Sequence, residues 1–132
     1  MNAPSEDIKD ILEGESALGL TFATDLFISE IPGGVTGQCV CVNDSGGDMP
    51  ELQYNYERPA LQVLVRSARG EYLTGHELAQ SIRDVLIGTY NYTINGARYI
   101  LIKCSSDVLS VGLDDNQRSL FSVNFEIHRT EA

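Results

Sequence analysis

The chain has 132 residues, of which 42% are hydrophobic, and its 19 acidic against 9 basic residues give a formal charge of −10 at pH 7. This length is typical of one domain with a single core, so we treat residues 1–132 as one domain. The acidic balance excludes a protein that binds DNA without sequence preference, which needs Lys and Arg, and the absence of about 18–20 consecutive apolar residues excludes a membrane-spanning helix.

The N-terminal region, residues 1–18, predicts a short helix and a linker. Ser5 is placed to cap the helix, and Glu6 and Asp7 favour its positive end. Gly14 is expected to end it. Residues 1–10 are acidic and polar, unlike a secretory signal, so we expect the protein to be assembled in a cytoplasm. The predicted apolar stripe consists of Ile8, Ile11 and Leu12.

Two strands are predicted next, over Leu20–Ile28 and Gln38–Asn43, separated by a break at residues 32–34. They are followed by a segment rich in Gly and Pro, residues 44–59, which we interpret as a long loop. A loop of this length in a small domain is commonly functional.

From residue 59 onward, the sequence signals for strands and helices become stronger. The alternation in Ala60–Ser67 predicts a strand, and the partly apolar outer position Leu64 indicates that its second face is also covered. Thr74 and Glu77 match a capping box at the start of a helix that Gly88 would end. The apolar stripe of this helix consists of Leu78, Ile82, Val85 and Leu86.

Three further strands complete the prediction. Asn95-Gly96 favours a type I′ turn between strands at Tyr90–Ile94 and Ala97–Cys104. Ser119–Arg129 alternates as the third, with four apolar side chains directed inward: Phe121, Val123, Phe125 and Ile127. Between the second and third strands, Val108–Leu113 is expected to form part of a strand. The fold class is therefore α+β, a mostly antiparallel sheet with two helices packed on it, in the order α-β-β-β-α-β-β-β.

No catalytic, metal or cofactor site is expected. His76 and His128 lie outside any catalytic motif, and the three cysteines lack the spacing of a zinc site. We interpret the cysteines as small buried side chains, consistent with a reducing compartment. Asp44, Asp48 and Glu51 miss the calcium-loop pattern, which favours a solvated acidic loop.

The composition instead favours a surface for protein partners. Arginines outnumber lysines seven to two, and six tyrosines accompany them. Planar guanidinium groups and tyrosine rings are both enriched at interfaces. Ordinary surface pairing remains the alternative for any single arginine.

The chain contains, in a distinctive order, the strand Pro59–Arg66, then Tyr72 and a helix, then Tyr99, and then Val111–Asp115 followed by Arg118–Phe125. Over residues 20–129 this order resembles that of bacteriophage minor capsid and tail terminator proteins. The N-terminal helix and the strand with two cysteines do not match that family and leave the lining of a ring lumen open.

The resemblance implies a virion protein of the tail neck that forms a ring, expected to be a hexamer, on the tail tube. It implies contacts with the tail tube protein and with a head-completion or connector protein, while DNA passes through the lumen without sequence-specific binding. On this interpretation Arg66, Arg69, Asp114, Asp115 and Arg118 contact the next subunit. The docking loop on the tube or connector supplies Asp44, Asp48, Glu51, Tyr54, Tyr56 and Arg58.

Charge gives this interpretation a physical consequence. Residues 1–57 contain eleven acids and one base, so an acidic surface could line the lumen and repel DNA rather than capture it. Ring assembly would then depend on salt. Two alternatives stay open: a different neck or tail component, such as a head-closure or tail tube protein, and a small enzyme or ligand-binding domain that uses His76 and nearby carboxylates.

Overall fold

The computed structural model describes residues 1–51 and 55–132, which form two helices and eight strands. Their bounds are α1 Pro4–Gly14, β1 Leu26–Ile28, β2 Cys39–Gly47, β3 Tyr56–Glu57, β4 Pro59–Arg66, α2 Tyr72–Ile87, β5 Tyr90–Ile94, β6 Ala97–Cys104, β7 Leu109–Leu113 and β8 Ser119–Glu131. The predicted α+β class is confirmed. Within the described ranges, neither helix is both long and apolar enough to cross a membrane.

The last strand, β8, organises the sheet. The strands follow the order β1-β2-β4-β8-β6-β5. The strand β8 pairs with β4 and β3 along one edge and with β6 and β7 along the other. Every pairing is antiparallel except that of β1 with β2. Because β8 pairs with four other strands, it holds the two halves of the sheet together.

The core lies between one face of this sheet and the two helices. The four inward side chains predicted on β8 are all buried, which confirms the alternation. Both helices contribute the side chains of their apolar stripes to the same cluster. The helical and strand core residues include Ile8, Leu12, Leu61, Val63, Val65, Ile82 and Leu86.

The opposite face of the sheet carries a second, smaller buried row. Phe27, Cys41 and Leu64 are neighbours in register across β1, β2 and β4. Phe27 and Cys41 are buried and Leu64 is half-buried, as the apolar outer position of Leu64 predicted. The thiols of Cys39 and Cys41 are buried and that of Cys104 half-buried, and all three are free.

The predicted first strand is shorter than its composition indicated, because residues 21–25 fold into a turn. The carboxylate of Asp25 accepts the N–H of Thr21 at 2.7 Å, and the carbonyl of Thr21 accepts the N–H groups of Thr24 and Asp25. This local bonding removes Thr21 from the sheet. Only Leu26–Ile28 remain to pair with β2.

Both predicted N-terminal helix caps are wrong, whereas α1 ends at Gly14 and Gly88 follows the end of α2 as predicted. Ser5 lies inside α1, where its N–H donates to Asp44 Oδ1 at 2.9 Å and its hydroxyl donates to Oδ2 at 2.6 Å. A carboxylate from β2 thus caps the helix in place of Ser5. In α2 the first residues are Tyr72 and Leu73, so Thr74 lies within the helix and donates to Glu71 at 3.3 Å.

Part of the segment predicted as a loop, residues 44–59, is instead β-strand. Strand β2 continues to Gly47, four residues beyond the predicted Asn43, because it keeps pairing with β4 across an irregular register between Asp44 and Gly47. Gly47 has a φ of +106°, and its backbone approaches Pro59 too closely for a side chain. The predicted Asn95-Gly96 turn is confirmed, with φ values of +51° and +79°.

A buried polar cluster holds α1 against the sheet. Asp7 accepts the hydroxyl hydrogen of Tyr99 at 2.6 Å and the amide of Asn95 at 2.8 Å. The guanidinium of Arg129 lies 3.5 Å from Asp7 and 3.1 Å from Glu57. These contacts join α1, β3, β6 and β8 at one place.

Candidate subunit-contact surface

Two of the predicted contact residues, Arg66 and Arg118, bind the same segment of backbone. Arg66 Nη2 donates to the carbonyls of Val35 and Gly37 at 2.7 and 2.9 Å. Arg118 Nη1 donates to the carbonyls of Val35 and Thr36 at 3.4 and 3.3 Å. Because Arg66 is only 6% exposed, its guanidinium orders residues 35–37 from beneath.

Asp114 fixes the turn that leads into β8. Its carboxylate accepts the N–H groups of Asn116 and Arg118, both at 2.9 Å, and pairs with Arg118 Nε at 2.8 Å. The N–H of Arg118 and then that of Asn116 lower the pKa of the Asp114 carboxyl from its usual value. Arg118 therefore forms its local ion pair with Asp114, and Asp115 stays exposed.

Three of the five predicted contact residues, Arg69, Asp115 and Arg118, line a shallow surface depression, which we call the Arg69 depression. Arg69 and Asp115 are exposed at its rim, while Arg118 is largely covered beside them. Its lining residues are Thr36, Arg69, Asp115, Asn116, Gln117 and Arg118. Arg66 lies beneath the neighbouring residues 35–37 rather than on the surface.

The predicted docking residues are less closely grouped. Asp44 caps α1, and Asp48 lies 3.8 Å from Arg58 Nε, with the Asp48 N–H donating to the Arg58 carbonyl at 3.0 Å. Glu51 and Tyr56 exchange backbone hydrogen bonds at the end of this segment. Tyr54 lies outside the described residues.

Tyr56 also reaches the outer face of the sheet. Its hydroxyl makes a short hydrogen bond with His128 Nδ1, and the two rings meet edge to face. His128 Nε2 lies 3.3 Å from Glu126, whose pKa is lowered from its usual value, chiefly by its hydrogen bond with Lys103. These side chains occupy the outward positions of β8 and its neighbours, as the alternation predicted for His128.

Most cations of the chain already have carboxylate partners. Side chains within 4.0 Å of a carboxylate are Lys9, Arg58, Arg83, Lys103, Arg118 and Arg129. Arg66 binds carbonyls instead. Over residues 1–51 and 55–132, the exposed side chains of Arg69 and Arg98 have no carboxylate within that distance. Both arginines are therefore available to a partner.

A second surface, not anticipated from the sequence, lies at the other end of α2, and we call it the tyrosine cleft. Tyr90 and Tyr92 are exposed by 72% and 45% and line an open cleft between the ends of the two helices and β5. The sequence signal that could have predicted this cleft is a pair of tyrosines spaced two residues apart on an edge strand. The other lining residues are Asp10, Ile11, Gly14, Glu15, Asp84, Val85, Gly88 and Thr89.

Residues 1–51 and 55–132 contain no group of three or more His, Cys, Asp or Glu side chains arranged to hold a metal ion. His76 packs against aromatic rings, with centroid distances of 6.2 Å to Tyr72 and 5.6 Å to Phe121. Its surroundings are those of a packing residue at the start of α2.

Comparison with known proteins identifies a family and a solved structure of similar fold. The model of a family described as bacteriophage tail terminator protein matches residues 15–131. A chain in the structure titled "Virion of native gene transfer agent (GTA) particle" has a TM-score of 0.75 and 15% identity, covering 98% of this chain and 96% of that chain. At this identity the similarity establishes the fold. No curated protein matches the sequence.

Proposed function

The chain belongs to the bacteriophage tail terminator family, a family of structural tail proteins, and we propose that it forms a ring that ends the growing tail tube. The ring stops tube growth and joins the tail to the head connector. The observation that carries this proposal is the family match, which spans nearly the whole chain from residue 15 to residue 131.

The surface supports assembly as its mode of action. Two exposed arginines have no carboxylate partner among the described residues, and exposed tyrosines line an open cleft. A hexameric ring would carry about 60 negative formal charges, six times the −10 of one chain. Contacts that match opposite charges must therefore hold such a ring together, and we propose that the Arg69 depression supplies one of them.

The proposal assigns partners as well as shape. The ring docks on the tail tube protein and on a head-completion or connector protein through the segment that includes Asp48, Glu51, Tyr56 and Arg58. Asp44 and Tyr54 belong to the same proposed docking region. DNA passes through an acidic lumen without sequence-specific binding, and the ring is assembled in the host cytoplasm without catalysing a reaction.

Deletion of the gene from its phage tests this function. A terminator is expected to leave headless tails of variable, excessive length, which electron microscopy of lysates would measure. Tails of normal length that fail to join heads would instead identify a connector protein. Normal virions would contradict any essential role in the neck, including the ring.

A biochemical experiment tests the ring directly. Purified protein mixed with isolated tail tubes should form a ring on one tube end in negative-stain images, and added protein should block further tube growth. Protein that leaves tube ends bare and growth unchanged would exclude the proposed function. Tube protein with bovine serum albumin in place of the chain is the control.

A further inference from the structure

We propose that each copy binds the next head to tail, with the Arg69 depression of one copy seated on the tyrosine cleft of its neighbour. This inference rests on the proposed function, because it names the two surfaces that would build the ring. It commits to a second copy of this chain as the occupant of the cleft.

The placement of the two surfaces supports the pairing. Arg69 lies three residues before α2, and Gly88 of the cleft directly follows its end. The 16 residues of α2 separate the two surfaces by about 24 Å at 1.5 Å per residue. A contact between different surfaces at opposite ends of a subunit is heterologous, and repeated contacts of this kind form a closed ring when the rotation between copies closes and an open filament when it does not.

The cleft is acidic, and the depression offers it one cation, Arg69, beside the exposed carboxylate of Asp115. Arg69 is exposed and unpaired within the described chain, whereas the cleft presents the carboxylates of Asp10, Glu15 and Asp84. Asp10 and Asp84 already pair with Lys9 and Arg83. The carboxylate of Glu15 has no cation within 4.0 Å in the described residues, so we assign Glu15 as the partner of Arg69.

The aromatic lining suits the same occupant. A guanidinium stacks on tyrosine faces while its N–H groups bind a carboxylate, which an ammonium does less well. The exposed rings of Tyr90 and Tyr92 flank the carboxylates of the cleft. An arginine from a neighbouring copy would therefore find both a stacking surface and an anion there.

Charge reversal with a matched control tests the contact. Arg69→Glu and Arg98→Glu each replace an exposed, unpaired arginine and change the charge by −2. Sedimentation equilibrium and ring counts on tail tubes would measure assembly. We expect Arg69→Glu to weaken self-association by about tenfold or more and Arg98→Glu by less than about twofold.

A charge swap provides the decisive comparison. Glu15→Arg alone should weaken assembly as Arg69→Glu does, and the double variant should recover it, because every interface of a homo-oligomer then carries the exchanged pair. Thermal unfolding of each variant checks that the fold is intact. Tyr90→Ser gives a second, uncharged test and should also reduce ring formation.

The outcomes separate this inference from the proposed function. If the unmodified protein forms rings on tubes and Arg69→Glu behaves like Arg98→Glu, the proposed contact is wrong and the terminator function stands. Failure of the double variant to recover, with both single variants folded, would also overturn the pairing. If the unmodified protein never binds tube ends, the proposed function itself fails.

Discussion

Tyr99 donates its hydroxyl hydrogen to Oδ2 of Asp7 at 2.6 Å, and neither residue is exposed to solvent. Burial, and then this hydrogen bond, raise the pKa of Tyr99 well above its usual value, so the phenol remains a donor at all moderate pH. The Asp7 carboxylate is also one of two acids near Arg129. The pair therefore joins α1 to the core through both charge and hydrogen bonding.

Asp7→Asn should destabilise the fold strongly. The substitution keeps the side-chain volume but leaves the buried Arg129 without one of its counter-charges, and removing a partner from a buried pair costs about 3–5 kcal/mol. We expect the free energy of unfolding in urea to fall by about 3 kcal/mol. Asp10→Asn, which affects a partly exposed pair with Lys9, should change it by less than about 1 kcal/mol. Equal effects would contradict the role of Asp7.

The sequence predicted the strands that alternate and the faces they bury. Every second side chain from Phe121 to Ile127 on β8 points inward, and extending this alternation by two residues would also have placed Arg129 inside. The alternation could not predict that Asp7 is the partner of Arg129, since the two residues are 122 residues apart in the chain. Contacts between distant segments depend on how the sheet curls, which local periodicity does not encode.

The sequence predictions failed where a different hydrogen bond replaces the predicted one. Ser5 and Thr74 were both predicted as N-terminal helix caps. The carboxylate of Asp44, in β2, caps α1 in place of Ser5, and α2 begins before Thr74. Asp25 similarly folds residues 21–25 into a turn. Of the predicted contact residues, Arg69 and Asp115 line the same depression and Arg66 is buried, while their contact with another subunit stays a prediction.

Arg66→Ala should lower stability through the segment it supports. The guanidinium donates to two carbonyls of residues 35–37, and hydrogen bonds from charged groups contribute about 1.5–3 kcal/mol. We expect the free energy of unfolding to fall by about 2 kcal/mol, with faster hydrogen exchange of residues 33–37. Arg69→Ala, on the exposed rim, should leave both measurements unchanged. An Arg66 variant of normal stability that fails to form rings would instead indicate a direct contact with the next subunit.

Gly75→Ala should destabilise α2 although alanine favours helices. A Cβ at Gly75 would lie 2.7 Å from Ser67 Cβ and 2.9 Å from the ring of Phe121, so the helix or these two side chains must shift. Overpacking of this kind costs about 1–3 kcal/mol, which exceeds the helix-propensity gain of about 1 kcal/mol. Gly14→Ala is the control, since a Cβ there meets nothing within 4 Å. Thermal unfolding should separate the two variants, and a Gly75→Ala protein as stable as the Gly14→Ala protein would refute the close packing.

Cys41 should behave as a protonated, protected thiol in the folded protein. Burial raises its pKa to about 11, above the ordinary value of 9.0. In native protein at pH 8, iodoacetamide followed by mass spectrometry should leave Cys41 unmodified, whereas protein unfolded in urea should react. Because the unfolded thiol ionises first, the folded state holds the extra proton between about pH 9 and pH 11. The free energy of unfolding should therefore fall across that interval, and Cys41→Ala should fall less steeply; parallel pH profiles for the two proteins would contradict the raised pKa.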